Sequence, residues 1–237
     1  MKKRLIVIYA AMILISLSSL SCLYGIKGNG KVVRNERQVE AFESVSASAG
    51  LEVILIQDSI VKVVVEADEN LQDIIRTEFS NGQLKIYPDE PIRSAKAKRI
   101  FVTFKTINSL KATSGAELKS KMDLKLKSLN IAASSGANVD LTLALDELNA
   151  EVSSGGNIRL SGAAQNLEIE GSSGGNIIAS ELSTVSCSAG ASSGANLKVY
   201  VNEKLSAKAS SGGQINVKGN PKERNIEKSS GGDVAFK

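Results

Sequence analysis

The chain contains no histidine and no tryptophan, only two cysteines and three prolines, and aromatic residues fill just 4% of its 237 positions. Each shortage removes a class of chemistry. Without histidine there is no Ser–His–Asp triad, no imidazole general base and no histidine metal site. Two cysteines furnish neither a four-cysteine zinc site nor a disulfide scaffold. So few rings leave no stacking platform for nucleobases and no wide aromatic cleft for sugars. No cofactor is expected. What remains, 42% hydrophobic and 23% charged, is enough chain for one large domain or two small ones with a buried core.

The first residues read as an export signal. Met1-Lys2-Lys3-Arg4 is a short basic start, Leu5 to Leu17 is apolar, and Ser18-Ser19-Leu20-Ser21 supplies small residues before Cys22. The apolar run is short and broken by serines, which argues against a membrane span. Cys22 stands where a bacterial lipoprotein carries its lipid anchor, although Ser19 replaces the leucine usual three places before the cysteine. Ser19-x-Ser21 also satisfies the rule for ordinary secretory cleavage, which would leave a soluble secreted protein. Removal of Lys2, Lys3 and Arg4 leaves 26 basic and 25 acidic residues. No basic stripe survives, so no nucleic-acid partner is expected.

From residue 113 the pattern [ST]-S-G-[AG]-[NEQD]-[LIV] recurs seven times, beginning at Thr113, Ser134, Ser153, Ser172, Ser192, Ser210 and Ser229, with spacings of 18 to 21 residues. Such periodicity is the signature of a solenoid. After the motif one apolar column runs Leu118, Val139, Ile158, Ile177, Leu197, Ile215, Val234, and a second, two residues on, runs Ser120, Leu141, Leu160, Ala179, Val199, Val217, Phe236. Before the motif the inward columns are Leu110, Ile131, Ala150, Ile169, Ala189, Ala207, Ile226 and Leu129, Leu148, Leu167, Cys187, Leu205. Alternation of period two predicts strands with one buried face. Each repeat is therefore strand, turn, strand and short connector, stacked in parallel around a narrow core, with length differences confined to connectors such as Leu143-Ala144-Leu145-Asp146 at one corner. At about 4.8 Å per strand, seven coils make a rod on the order of 34 Å long. The fold expected is an all-β parallel β-helix of about 19-residue coils.

Three features invite a functional reading. The invariant glycine of the motif (Gly115, Gly136, Gly155, Gly174, Gly194, Gly212, Gly231) marks a corner needing positive φ. The polar column Glu117, Asn138, Asn157, Asn176, Asn196, Gln214, Asp233 is either a ladder of side chains bonded up the stack or a row of donors and acceptors offered to a ligand. Calcium is disfavoured because GGxGxD spacing is absent. Cys187 occupies a leucine column, which points to core packing and not to a nucleophile.

The N-terminal part is less regular. Val45 to Leu55 reads as an eighth, degenerate copy of strand–turn–strand, and Val61 to Val65 as a strand. Asp68 to Ile75 suggests a short helix capped by Asp68. Asn81-Gly82 lies between alternating runs, a hairpin signal, and Pro88 to Lys98 reads as a loop. The organisation expected is a signal peptide over 1–21, an irregular β region over 22–98 and regular coils over 99–237, with 24–237 forming one continuous domain. The irregular part would cover one end of the stack, while the end at Phe236-Lys237 shows no evident cap.

Gly28-Asn29-Gly30-Lys31-Val32-Val33, Arg37-Gln38-Val39, Phe42-Glu43-Ser44-Val45, Val65-Glu66-Ala67-Asp68-Glu69-Asn70-Leu71 and the Ser-Gly-Gly-Asn-Ile repeats together resemble the auto-transporter adhesin, head GIN domain proteins of Bacteroidetes-type bacteria, from about Ile26 to Lys237. The resemblance implies a right-handed parallel β-helix like the pectin-lyase folds, without their catalytic residues, and a role in adhesion. The expectation is a non-enzymatic, lipid-anchored envelope protein at the outer membrane. Its partners would be a glycan, a host or matrix protein, or another envelope protein. The competing readings are a polysaccharide-processing enzyme using a carboxylate pair from among Asp140, Glu151, Glu168 and Glu170, and an envelope-structural or sensor protein.

Overall fold

The computed structural model describes residues 24–237; the signal segment and Cys22 lie outside them. The N-terminal strands are β1 (Ile26–Lys27), β2 (Val32–Arg37), β3 (Ser44–Ala47), β4 (Glu52–Gln57), β5 (Lys62–Asp68), β6 (Ile75–Ser80), β7 (Gln83–Pro88), β8 (Ile92–Ser94) and β9 (Lys98–Phe104). The stack continues through β10 (Ser109–Ala112), β11 (Glu117–Lys125), β12 (Ser128–Ala133), β13 (Asn138–Val152), β14 (Asn157–Gly171) and β15 (Asn176–Ala191). It ends with β16 (Asn196–Ala209), β17 (Gln214–Lys218), β18 (Glu223–Lys228) and β19 (Asp233–Phe236).

These strands form a β-solenoid of about seven coils. Ile158 pairs with Ile177 and Ile177 with Leu197, one above another, and Ile131, Ala150, Ile169, Ala189, Ala207 and Ile226 pair in succession on the other side. Val139, Ile158, Ile177, Leu197 and Ile215 are all buried. Each such side chain contributes about 1.5–3 kcal/mol through burial, and each needs the coil above and the coil below to achieve it. One face carries the pre-turn strands in the order β6-β7-β3-β10-β12-β13-β14-β15-β16-β18. The other carries the post-turn strands in the order β2-β5-β9-β4-β11-β13-β14-β15-β16-β17-β19.

The connectors depart from expectation. They are not loops but a third paired side: Thr142, Leu143, Ala144 and Leu145 stack on Ser161, Gly162, Ala163 and Ala164, and Leu124 on Leu143. The reason lies in their own alternation, which buries Leu124, Leu143, Leu145 and Leu182. Differences in coil length are absorbed as bulges, as between Arg159 and Ser161 and between Ala179 and Ser183. Gly162 sits where a Cβ would strike the Leu143 carbonyl.

At the turn corner the structure adds a residue to the sequence argument. Both the second serine and the glycine take positive φ, Ser154 at 48° and Gly155 at 70°, and Gly156 N donates to Ser153 O at 2.9 Å. This is a type I′ β-turn, repeated at every copy of the motif. Ala49-Gly50 and the Asn81-Gly82 hairpin adopt it too. Between coils, Gly136 N donates to Ser154 O, Gly155 N to Ser173 O and Gly174 N to Ser193 O. The carbonyls of the left-handed serines are thus held by a ladder of glycine N–H donors that runs from coil to coil.

At the N-terminal end β3 and β4 stack beneath β10 and β11 as the degenerate coil. Below them the β6–β7 hairpin and the antiparallel strands β5 and β2 close the stack. The expected helix shrinks to a 3-10 turn, Glu69–Leu71, and Asp68 makes no cap bond to it. Instead the fully buried Asp68 carboxylate accepts the backbone N–H groups of Gly30, Lys96 and Ala97 at 2.9–3.3 Å. A Cβ on Gly28 would collide with that carboxylate, which accounts for the glycine. Within the expected loop 88–98, Ile92–Ser94 pairs with Ile26–Lys27 as β8 and β1.

The C-terminal end does have a closing device. In the last coil the leucine column Leu129, Leu148, Leu167, Cys187, Leu205 continues as Arg224. Its guanidinium lies 4.4 Å from the Phe236 ring and donates to Pro221 O and Asn220 Oδ1, a cation laid over the end of the core. Lys228 Nζ binds Asp233 Oδ1 and Val234 O alongside. Ile226 and Phe236, inward by sequence, remain partly exposed, with no described coil stacked on them.

Candidate functional site

Two outward sheet faces carry the polar residues that could meet a ligand. On the post-turn face Glu117, Asn138, Asn157, Asn176, Asn196, Gln214 and Asp233 stand in unbroken register. Glu52, Arg99, Glu66 and Arg34 extend the same column to the N-terminal end. One direct amide rung joins it: Asn157 Nδ2 donates to Asn138 Oδ1 at 3.3 Å and also reaches Gly155 O. Asn216 Nδ2 approaches Asn196 Oδ1 from the neighbouring column at 3.5 Å. Among the described residues the side chains of Asn176 and Gln214 make no hydrogen bond, so their donors and acceptors face solvent.

At the N-terminal end of that column Glu66 is buried between two guanidinium groups. Arg34 Nε donates to Glu66 Oε2 at 2.5 Å. Arg99 lies 2.5 Å from the other oxygen, an ion pair without hydrogen-bond geometry. Arg37 reaches Gln72 O and Oε1, and Gln72 Nε2 donates to Val33 O and Val65 O. These residues bind the capping strands to one another. Glu66 and Arg37 lie in the stretches that carry the family resemblance, but Arg34 and Glu66 are 32 positions apart and Arg37 and Gln72 35, and no periodicity points to them.

On the pre-turn face the outward columns form a trough of about 750 Å³ lined by Glu147, Asn149, Asn166, Glu168, Ser186, Ser188, Lys204 and Glu223. A hollow of about 380 Å³ beside it is lined by Glu151 and Glu170. Small residues on β15 make the floor, with carboxylates of β13 and β14 on one side and Lys204 and Lys208 on the other. The two lysines pair at 3.3 Å with Glu223 and Glu227, while Glu147, Glu151, Glu168 and Glu170 have no ion-pair partner among the described residues. Glu151 and Glu170 are register neighbours. Asp140 lies on the opposite face, in register with Arg159. All four trough carboxylates are open to water, whereas a carboxyl acting as general acid on a sugar is sheltered from it. No group of three acidic or thiol side chains converges as a metal site among the described residues.

Cys187 stacks between Leu167 and Leu205 and is buried. Burial pushes its thiol up to about 12, the behaviour of an inert core residue. No helix of the described residues is long and apolar enough to cross a membrane.

Comparison with known proteins bears on the same architecture. A crystal structure described as a "putative adhesin" from Bacteroides fragilis is similar with a TM-score of 0.83 at 21% identity, over 90% of this chain and 100% of that one. A "putative lipid binding protein" from Parabacteroides distasonis is similar with a TM-score of 0.69 at 22% identity, over 90% and 99%. A "putative adhesin" from Parabacteroides merdae gives 0.68 at 18%, over 90% and 98%. At these identities the likeness is one of fold. No curated protein matches the chain. The family pattern described as "putative auto-transporter adhesin, head GIN domain" matches residues 41–221, the stretch that runs from the degenerate coil to the penultimate one, and the chain belongs to that family.

Proposed function

We propose that this protein is a non-enzymatic adhesion or surface scaffold protein, exported and held at the outer membrane through a lipid on Cys22, which displays polar columns on a rigid rod. The observation that carries the reading is the unbroken register from Glu117 to Asp233. Side chains on successive coils repeat at about 4.8 Å, so a polymeric partner can make many weak contacts at once. Coupled weak contacts gain through effective concentration and not through any single strong site. Asn176 and Gln214, with free amides, and Asn157 and Asn196, with spare capacity, are the positions where a glycan or matrix protein would engage.

The fragment 24–237 contains every described strand of the stack and suits a screen against glycans and matrix proteins. Binding that drops at least tenfold when Asn157, Asn176 and Asn196 are changed together to Ala supports the display reading. Binding indifferent to those changes, or cleavage of an acidic polysaccharide, sinks it. Mass spectrometry of the mature N-terminus tests the anchor separately: a diacylglyceryl adduct on Cys22 is expected, and an unmodified Cys22 removes the lipoprotein reading.

A further inference from the structure

We propose that the corner formed by the β4–β5 turn and the start of the regular coils docks on an anionic lipid surface, independently of any lipid on Cys22. Among the described residues the exposed large apolar side chains are few: Ile60, 67% exposed, and Val61, 43% exposed, form the tip of the β4–β5 turn, and Met122, 43% exposed, lies on β11. The turn is pinned in place. Asp58 N donates to Phe104 O at 2.9 Å, and the Gln57 side chain bonds Lys105 O, Lys125 O and Lys125 N at 2.7–3.2 Å. These bonds set the Ile60-Val61 tip beside Lys105 and Lys125. Met122 lies in the bulge of β11 that follows Lys119.

Lysines outnumber carboxylates in the neighbouring stretch. Residues 105–127 carry six lysines against Glu117 and Asp123. Among the described residues only Lys119 of these forms an ion pair; Lys105, Lys121, Lys125 and Lys127 are exposed and have no described carboxylate within ion-pair reach. Lys121 lies over the Phe101 ring at 5.3 Å. The carboxylates around the tip are Asp58, which accepts the N–H and hydroxyl of Ser59, Glu36, which pairs with Lys62, Asp123 on β11, and Asp146 and Glu147, whose backbone N–H groups meet the Lys127 carbonyl. Apolar tips ringed by unpaired lysines match the chemistry of an interface where acyl chains begin beneath phosphate headgroups. The lysine stems run along the apolar region while their ammonium groups reach the phosphates. A soluble acidic polymer would satisfy the lysines and leave Ile60 and Val61 in water, so the exposed tip favours the lipid.

The test is co-sedimentation of the 24–237 fragment, which lacks Cys22 and the signal segment, with phosphatidylcholine vesicles with and without phosphatidylglycerol. Binding to the anionic vesicles alone, weakened by salt, is expected. Changing Lys125 and Lys127 to Gln should lower the partition coefficient roughly fivefold per lysine. Ile60→Asp, at an exposed position, should lower it at least as much with an unchanged melting curve. Equal binding to both vesicle types, no binding to either, variants that bind like the parent, or retention by dextran sulfate without vesicle binding would each overturn the proposal. Failure here leaves the adhesion reading intact, because that reading is tested on the asparagine column.

Discussion

Single residues hold this rod together where its repeats do not. Asp68 is the clearest case, because its carboxylate gathers three backbone N–H groups from two separate segments. Burial pushes its pKa up, but the N–H groups of Gly30, Ala97 and Lys96 and the Lys96 charge outweigh burial, and the net shift is downward. A folded pKa below the unfolded value near 4 means stability that is complete above about pH 4 and is lost as the pH falls through the folded value. Asp68→Asn, which removes one acceptor and sets an amide against donors, should cost about 2 kcal/mol in urea unfolding at pH 7 and flatten the acid limb of the stability profile. An unchanged acid limb would show that the clamp is not the titrating element. Cys187 gives a second residue-scale prediction. With its thiol raised to about 12 and its side chain buried, Ellman's reagent should label it only at the rate of unfolding; rapid labelling of the native protein would contradict the core assignment.

The repeating element is the strand–turn–strand unit, and its turn separates two glycines with different duties. At Gly155 φ is 70° and an added Cβ meets nothing within 4 Å, so Gly155→Ala carries backbone strain alone, about 1 kcal/mol. At Gly156 an added Cβ would stand 2.7 Å from the Ala133 carbonyl of the coil beneath. Gly156→Ala should therefore separate two coils locally, although Ala116, Ala137 and Ala195 show that other coils accept the methyl. Ser154, also left-handed, should be improved by Asn, which tolerates that region better: a gain of a few tenths of a kcal/mol is expected for Ser154→Asn. Thermal melts of the three variants rank them Ser154→Asn above the parent and both alanine variants below it.

At the scale of the whole molecule a solenoid maps sequence position onto distance along its axis, and the charges follow that map. The nearly neutral chain conceals segregation: lysines dominate residues 105–127, whereas residues 128–191 carry seven carboxylates against Arg159 alone. None of those seven has an ion-pair partner among the described residues, so the middle coils present a predominantly acidic belt to any partner. The ends are guarded differently. Antiparallel strands close the first end, and Arg224 over Phe236 blunts the second by placing a charge in an apolar column, a known defence of sheet edges. Arg224→Leu would continue the leucine column to an open end. Concentration-dependent association in light scattering is expected for that variant and not for the parent; a monomeric variant would show that the guard lies elsewhere.

The coil length, the inward columns and the turn corner were legible in the amino-acid order because each repeats seven times, and a side chain that must bury itself against its own counterpart leaves a periodic trace. Ile158 over Ile177 over Leu197 follows from that trace alone. The third side was half-visible in Leu141, Leu143 and Leu145, but its pairing depends on bulges that no period predicts. Asp68, the Arg34–Glu66–Arg99 group and the Arg224–Phe236 lid occur once each, and their partners are set by how the ends of the chain fold across the stack. The asparagine column was evident as a row, yet only the tertiary structure decided which amides meet each other and which stay free, since rung formation turns on side-chain rotamers. Repetition writes the middle of this protein into its sequence; the ends and the exposed corner, where symmetry stops, depend on three-dimensional closure.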